Sequence, residues 1–278
     1  MPAREACPAR ASFRYVVAPM RVIVTGVSAG IGGAICEQLA NTHGNALSLV
    51  MCVRRSTEQV EALASACRLQ GSAVMIVKAD FSQPEAPAEV VGRAVEGFGS
   101  LDAIVSNAGI ADPAPLESLE LEAWDRMFSI TCRASWLLAK AAFPHLRDSR
   151  GSFVAISSQS GSHPHRGTGA YSSAKAALTM LCRQLAIEWG QHGIRVNCVS
   201  PGMIRTPMTE AVYKDERILR AREAIVPLGT IGQPSDVARL VEILIDPTNR
   251  YVTGQNIAID GGLSQTVLDR IPGLARKQ

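Results

Sequence analysis

Short apolar runs alternate along this chain with longer stretches of helical spacing, and that alternation constrains the fold more than any other feature. The pattern predicts strands over 22–25, 47–53, 74–77, 103–105, 153–156, 195–199 and 256–259. Helices are predicted between them over 31–40, 57–69, 85–97, 121–146, 171–189 and 234–245. Val22, Ile23, Val24 and Thr25 are β-branched at consecutive positions, the mark of a strand buried on both faces. Strands and helices in this order specify an α/β fold. The expected architecture is a doubly wound parallel sheet, Rossmann-like, with right-handed crossovers and helices on both faces. No repeat, linker or low-complexity tract interrupts the pattern, so a single domain is expected over 20–265. A flexible extension is expected over 1–19 and a tail over 266–278.

Composition removes several classes of function. The chain has 278 residues, of which 47% are hydrophobic, too apolar for a disordered protein. Lys plus Arg number 28 against 25 Asp plus Glu, a net charge of +3 spread without blocks. That weak excess leaves no footprint for nucleic acid or an anionic membrane surface. Stretches free of Asp, Glu, Lys and Arg, such as 22–36 and 151–165, are too short and too rich in Gly and Ser to cross a bilayer. The seven cysteines (Cys7, Cys36, Cys52, Cys67, Cys132, Cys182 and Cys198) are scattered, which supports neither a disulfide framework nor a metal site. A reducing, cytoplasmic setting is expected. Residues 1–19 carry Arg4, Arg10 and Arg14 but no long apolar core, a poor match to a signal peptide.

Directly after the first strand comes Thr25-Gly26-Val27-Ser28-Ala29-Gly30-Ile31-Gly32, which opens the first helix. Glycines there let the backbone approach a pyrophosphate, and the helix N-terminus offers unpaired N–H groups and partial positive charge. The P-loop lysine is missing, so a dinucleotide is favoured over ATP. A carboxylate at the end of strand two would bind ribose hydroxyls and repel a 2′-phosphate. This chain has Val53-Arg54-Arg55-Ser56 instead. Guanidinium groups suit a phosphate by charge and by forked geometry, so NADP is expected, with NAD the alternative.

Tyr171 and Lys175 share one face at the start of a predicted helix. A free phenol ionises near pH ~10. An adjacent ammonium favours the phenolate and brings such a group within reach of acid–base work. Upstream, strand 153–156 runs into Ser157-Ser158, at the carboxyl edge where open α/β sheets bind ligands. The bland reading of those serines is turn chemistry.

With these residues in place, the chain from Met20 to about Gly262 resembles the short-chain dehydrogenase/reductase family, in its compact single-domain form. The resemblance is carried in order by Thr25 to Gly32, Asp80, Asn107-Ala108-Gly109, Ser158, Tyr171 with Lys175, Pro201-Gly202 followed by Thr206, and Asp260-Gly261-Gly262. It implies an oxidoreductase that interconverts a carbonyl and a secondary alcohol by hydride transfer with NADP(H). Tyr171 is then the general acid or base, Lys175 its activator and the holder of the nicotinamide ribose, and Ser158 the group that orients the substrate oxygen. Cofactor contacts are implied for Gly26, Ser28, Gly30, Ile31 and Gly32 in the turn, and for Arg54 and Arg55 after strand two. Asp80 with Phe81 is implied at the adenine, and Asn107, Ala108 and Gly109 near the adenosine ribose. Pro201, Gly202, Ile204 and Thr206 are implied over the nicotinamide.

One position departs from the family. Thr131 stands where the resemblance implies an Asn that helps hold a water next to the active-site lysine. That departure motivates the alternative reading, a nucleotide-binding regulator or scaffold with little turnover. His163 and His165 either contact substrate or sit in an exposed polar loop, and no metal is expected. Residues 203–225, with Met208 and Tyr213, are expected to form a mobile lid whose mixed charge argues against a highly charged substrate. Helices 121–146 and 171–189 are apolar around much of their circumference, which predicts a homo-oligomer, a tetramer or a dimer.

Overall fold

A computed structural model describes residues 19–266 together with Leu268. The expected N-terminal extension and C-terminal tail fall almost wholly outside the described residues, as does Cys7. Seven strands form one sheet: β1 (Met20–Thr25), β2 (Leu47–Val53), β3 (Ala73–Lys78), β4 (Ala103–Ser106), β5 (Ser152–Ile156), β6 (Arg195–Pro201) and β7 (Asn256–Ile259). Their order is β3-β2-β1-β4-β5-β6-β7, and every pair is parallel. The order reverses between β1 and β4, where Val24 pairs with Val105. Crossover connections leave to opposite sides at such a point and open a crevice beyond the strand ends.

Each strand divides its side chains between two cores. On β1, Val22 and Val24 face one side while Ile23 faces the other. The first side is covered by α1 (Ile31–His43), α2 (Glu58–Leu69) and α9 (Pro234–Ile245), through Ile35, Leu39, Val60, Ala64, Val237 and Val241. The second is covered by α3 (Ala86–Phe98), α5 (Ala134–Ser149) and α6 (Tyr171–Trp189), through Val90, Leu138, Ala142, Leu178 and Cys182. Burial on both faces explains why the strands read as continuous apolar runs. Local signals fix several ends. Thr57 caps α2 by accepting from the Val60 N–H, and Gln233 and Asp236 form a reciprocal box ahead of Pro234 at the start of α9.

The long helix expected over 121–146 is broken. α4 (Leu121–Phe128) passes into a π-turn at Ser129–Arg133 before α5 resumes, and the Ala134 N–H reaches back to the Ser129 carbonyl. A buried hydroxyl accompanies the turn: Ser135 Oγ donates to the Thr131 carbonyl at 2.7 Å, the back-bonding that bends helices. The expected lid contains two short helices, α7 (Glu210–Tyr213) and α8 (Glu216–Glu223). Among the described residues, no helix is long and apolar enough to cross a membrane.

Candidate active site

The turn from β1 to α1 is built by close backbone approach. Gly26 has φ +67°, and a Cβ there would stand 2.7 Å from the Ala108 Cα. Asn107 fastens this turn across the switch point. Its Nδ2 donates to the carbonyls of Thr25 and Gly26, each at 3.0 Å, and the N–H groups of Asn107 and Ala108 both donate to Thr25 Oγ1 at 2.9 Å. α1 begins at Gly30 without a side-chain cap, so its first N–H groups are left to a ligand. That uncapped end and the glycine cradle fit a dinucleotide pyrophosphate. Sequence reasoning missed Gly33, where any Cβ would collide with the Ser28 carbonyl oxygen.

A cleft of about 480 Å³ opens beyond the carboxyl ends of β1, β4, β5 and β6. Gly26, Ser28, Gly30, Ile31 and Gly32 line it from the turn, and Asn107 and Gly109 from the end of β4. Ser158, Tyr171 and Lys175 line it from β5 and α6, and Pro201, Gly202, Ile204 and Thr206 from the chain after β6. The structure thus brings most of the expected residues to one place.

The end of the cleft beside β5 and α6 is organised around a buried lysine. Lys175 is 4% exposed, and its Nζ donates to the Ile156 carbonyl at 2.7 Å while lying 5.8 Å from the centre of the Tyr171 ring. Ser157 Oγ donates to the Lys175 carbonyl at 3.1 Å and meets Thr179 Oγ1 at 2.9 Å, so β5 seats the first turns of α6. Ser158 Oγ accepts from the Ser160 N–H at 3.1 Å and caps the 3₁₀ turn Gln159–Gly161. Gln159 in turn donates to Asp260, whose carboxylate also accepts the Gly262 and Ser264 N–H groups. Burial raises the Asp260 carboxyl, but the hydrogen bonds from Ser264 and Gly262 outweigh it and hold it below its ordinary value. This tether between the Ser158 turn and the chain after β7 was not legible as a site feature.

Other expected residues lie elsewhere. Arg54 and Arg55 are exposed just beyond β2, outside the cleft wall, where Ser56 Oγ donates to Glu61 Oε1 at 2.7 Å. Asp80 is held below its ordinary value chiefly by the Ser82 N–H, then by the Ser82 hydroxyl, with Arg54 adding a smaller pull. Phe81 is buried in the core, and Ala108 packs against it. Thr131 is not brought into the cleft. It is fully buried in the π-turn, with its hydroxyl directed at the Met127 sulfur and its carbonyl taken by Ser135. His165 lines the cleft beside Ser160, whereas His163 does not. Among the described residues, no group of three potential metal ligands converges.

Comparison with known proteins bears on this arrangement. A family model described as enoyl-(acyl carrier protein) reductase matches residues 26–264. The chain belongs to the short-chain dehydrogenase/reductase family. It is an oxidoreductase. A family relative, the cis-4-hydroxycyclohexanecarboxylate dehydrogenase of Sinomonas cyclohexanicum, is 34% identical over 86% of this chain and 94% of its own length. The structure of a Serratia marcescens short-chain dehydrogenase/reductase matches with a TM-score of 0.82 at 31% identity, covering 89% of this chain and 98% of that one. A Burkholderia cenocepacia short-chain dehydrogenase in complex with NADP matches with a TM-score of 0.81 at 32% identity and the same coverage.

Proposed function

We propose that this protein interconverts a carbonyl and a secondary alcohol by hydride transfer with NADP(H), using Tyr171 as general acid and base. The observation that carries the reading is the Lys175 ammonium, buried beside the Tyr171 ring in the same cleft as Ser158 and the uncapped start of α1. In the reductive direction Tyr171 donates its phenolic proton to the substrate oxygen, and the positive charge of Lys175 stabilises the phenolate left behind. The Ser158 hydroxyl donates to the same oxygen and stabilises charge developing on it. The hydride would be supplied by NADPH when it is bound at this site. Asn107 keeps the glycine turn and the end of β4 in fixed relation, so the residues that would hold the cofactor stay in place. The relative named for cis-4-hydroxycyclohexanecarboxylate, itself a secondary alcohol, is in keeping with this chemistry.

The choice of NADP rests on Arg54 and Arg55 at the end of β2, where a carboxylate would reject the 2′-phosphate, and on the NADP-bound Burkholderia cenocepacia relative. A homotetramer or homodimer is proposed from the large apolar side chains left exposed on α4, α5 and α6. A cytoplasmic setting is proposed from six free cysteines among the described residues. Residues 20–265 are proposed as one catalytic unit. The test is oxidation of NADPH, followed at its absorbance band, across a panel of ketones and diketones. Turnover that depends on Tyr171 is expected, and no turnover of any member would overturn the reading.

A further inference from the structure

The lid over the cleft carries four arginines, and three of them hold carboxylates of the lid itself. Arg205 pairs with Glu210, Arg217 with Asp215 and Arg220 with Glu216. Arg222 pairs with no carboxylate among the described residues. Its guanidinium lies 5.5 Å from the centre of the Tyr213 ring, and both residues form part of the cleft wall. Tyr213 is only 3% exposed, so its ring is a packed shelf under a half-buried charge. Asp112, the one acidic residue of this wall among the described residues, is already engaged by Arg126.

The surroundings of Arg222 limit what can answer that charge. The cleft wall also carries the apolar side chains of Ile110, Pro113, Met203, Met208 and Val212, beside the hydroxyls of Ser160, Thr168 and Thr209. The other cations there are committed or weak. Lys175 is bonded to the Ile156 carbonyl at the reacting end, and His165 is exposed and faces Ser160 at 3.4 Å. A guanidinium removed from bulk water without a counter-anion is unfavourable. Its parallel N–H groups match the two oxygens of a carboxylate. One uncommitted cation in a wall of apolar side chains and neutral hydroxyls answers a single negative charge on a compact body.

We propose that Arg222 is a specificity-determining residue that binds a substrate carboxylate remote from the reacting carbon, so that the preferred substrates are oxo acids and their hydroxy acids. This inference rests on reading the cleft as the site of carbonyl reduction. The apolar wall receives the carbon skeleton, Ser158 and Tyr171 receive the reacting oxygen, and Arg222 fixes the far end. The arrangement sets which face of the carbonyl is presented as well as which molecule is held.

The test uses the full protein with saturating NADP⁺ and titration calorimetry with two shape-matched probes, cyclohexanecarboxylate and cyclohexanecarboxamide. The acid is expected to bind at least ~10-fold tighter than the amide. Arg222→Gln should weaken acid binding by about 10- to 100-fold and leave the amide within about twofold, while Arg222→Lys keeps part of the preference. Circular dichroism of each variant reports whether the fold is intact. Equal binding of acid and amide, no binding of the acid, or an acid affinity unmoved by Arg222→Gln would each overturn the proposal. An acid preference without turnover of any ketone would sink the carbonyl-reduction reading and leave the anion site standing. Ketone turnover without an acid preference would do the reverse.

Discussion

The Lys175 ammonium donates to the carbonyl of Ile156, the last residue of β5, and so a buried positive charge is pinned beside the tyrosine one helical turn earlier. In the proposed chemistry the phenol and the cation act as one unit. Tyr171→Phe is expected to lower kcat by about 10²- to 10⁴-fold while NADPH affinity stays within about twofold, because only the proton-transfer oxygen is lost. Lys175→Met should lower turnover and weaken cofactor binding together. Rapid-mixing kinetics and fluorescence titration with NADPH separate the two effects, and a Tyr171→Phe enzyme of near-normal rate would refute the assigned chemistry.

Cofactor choice is expected to follow the two arginines after β2. A charge-assisted arginine–phosphate contact contributes ~1.5–3 kcal/mol, or about 10- to 150-fold in affinity. The double change Arg54→Ala, Arg55→Ala should raise the dissociation constant for NADPH by that factor and leave NADH almost untouched. Equal affinities for the two cofactors in the unmodified protein would contradict this.

Ser135 Oγ bonds both the Thr131 carbonyl and Ser106 Oγ in a fully buried setting. Ser135→Ala strips two interior groups of a partner, a loss of about 1–3 kcal/mol. The melting temperature should fall by about 2–12 °C for a domain of this size. An unchanged melting curve would mean that the π-turn does not depend on this hydroxyl.

Leu121, Trp136, Met180 and Ile187 are 67%, 44%, 57% and 84% exposed, a share of large apolar surface that a lone subunit would leave in water. Sedimentation at micromolar concentration is expected to give a dimer or a tetramer. Charged substitutions at Trp136 and Ile187 together should shift it toward the monomer, and a monomeric unmodified protein would dispose of the expectation.

Much of this molecule could be read from its residues. β2, α6, α9 and β7 begin and end where periodicity placed them, because their apolar spacing and flanking turns agree, and α9 adds a capping box. Tyr171, Lys175 and Ser158 converge because the first two share a helix face and the third lies just past the end of a neighbouring strand. What stayed hidden depends on contacts between distant segments. Residues 129–133 contain neither Gly nor Pro, so nothing local announced the π-turn that a Ser135 hydroxyl accompanies. Gly33 looks like an ordinary helical glycine until the Ser28 carbonyl is set against it. Arg222 is one of four similar lid arginines, and only folding decides which of them lacks a carboxylate.

The π-turn also holds one residue more than an α-turn needs. The Ala134 N–H reaches the fifth residue back instead of the fourth, so the surplus is taken up within Ser129–Arg133 and α5 keeps the phase that α4 sets. Deleting one residue there lets the same donor meet the same carbonyl as an ordinary α-turn, with Leu138, Ala139, Ala142 and Leu146 still facing the sheet. The same deletion inside α5 has no surplus to draw on and would rotate everything after it by about 100°. Changes of length are usually tolerated in loops. Here the place that can give up a residue lies in the middle of a helix.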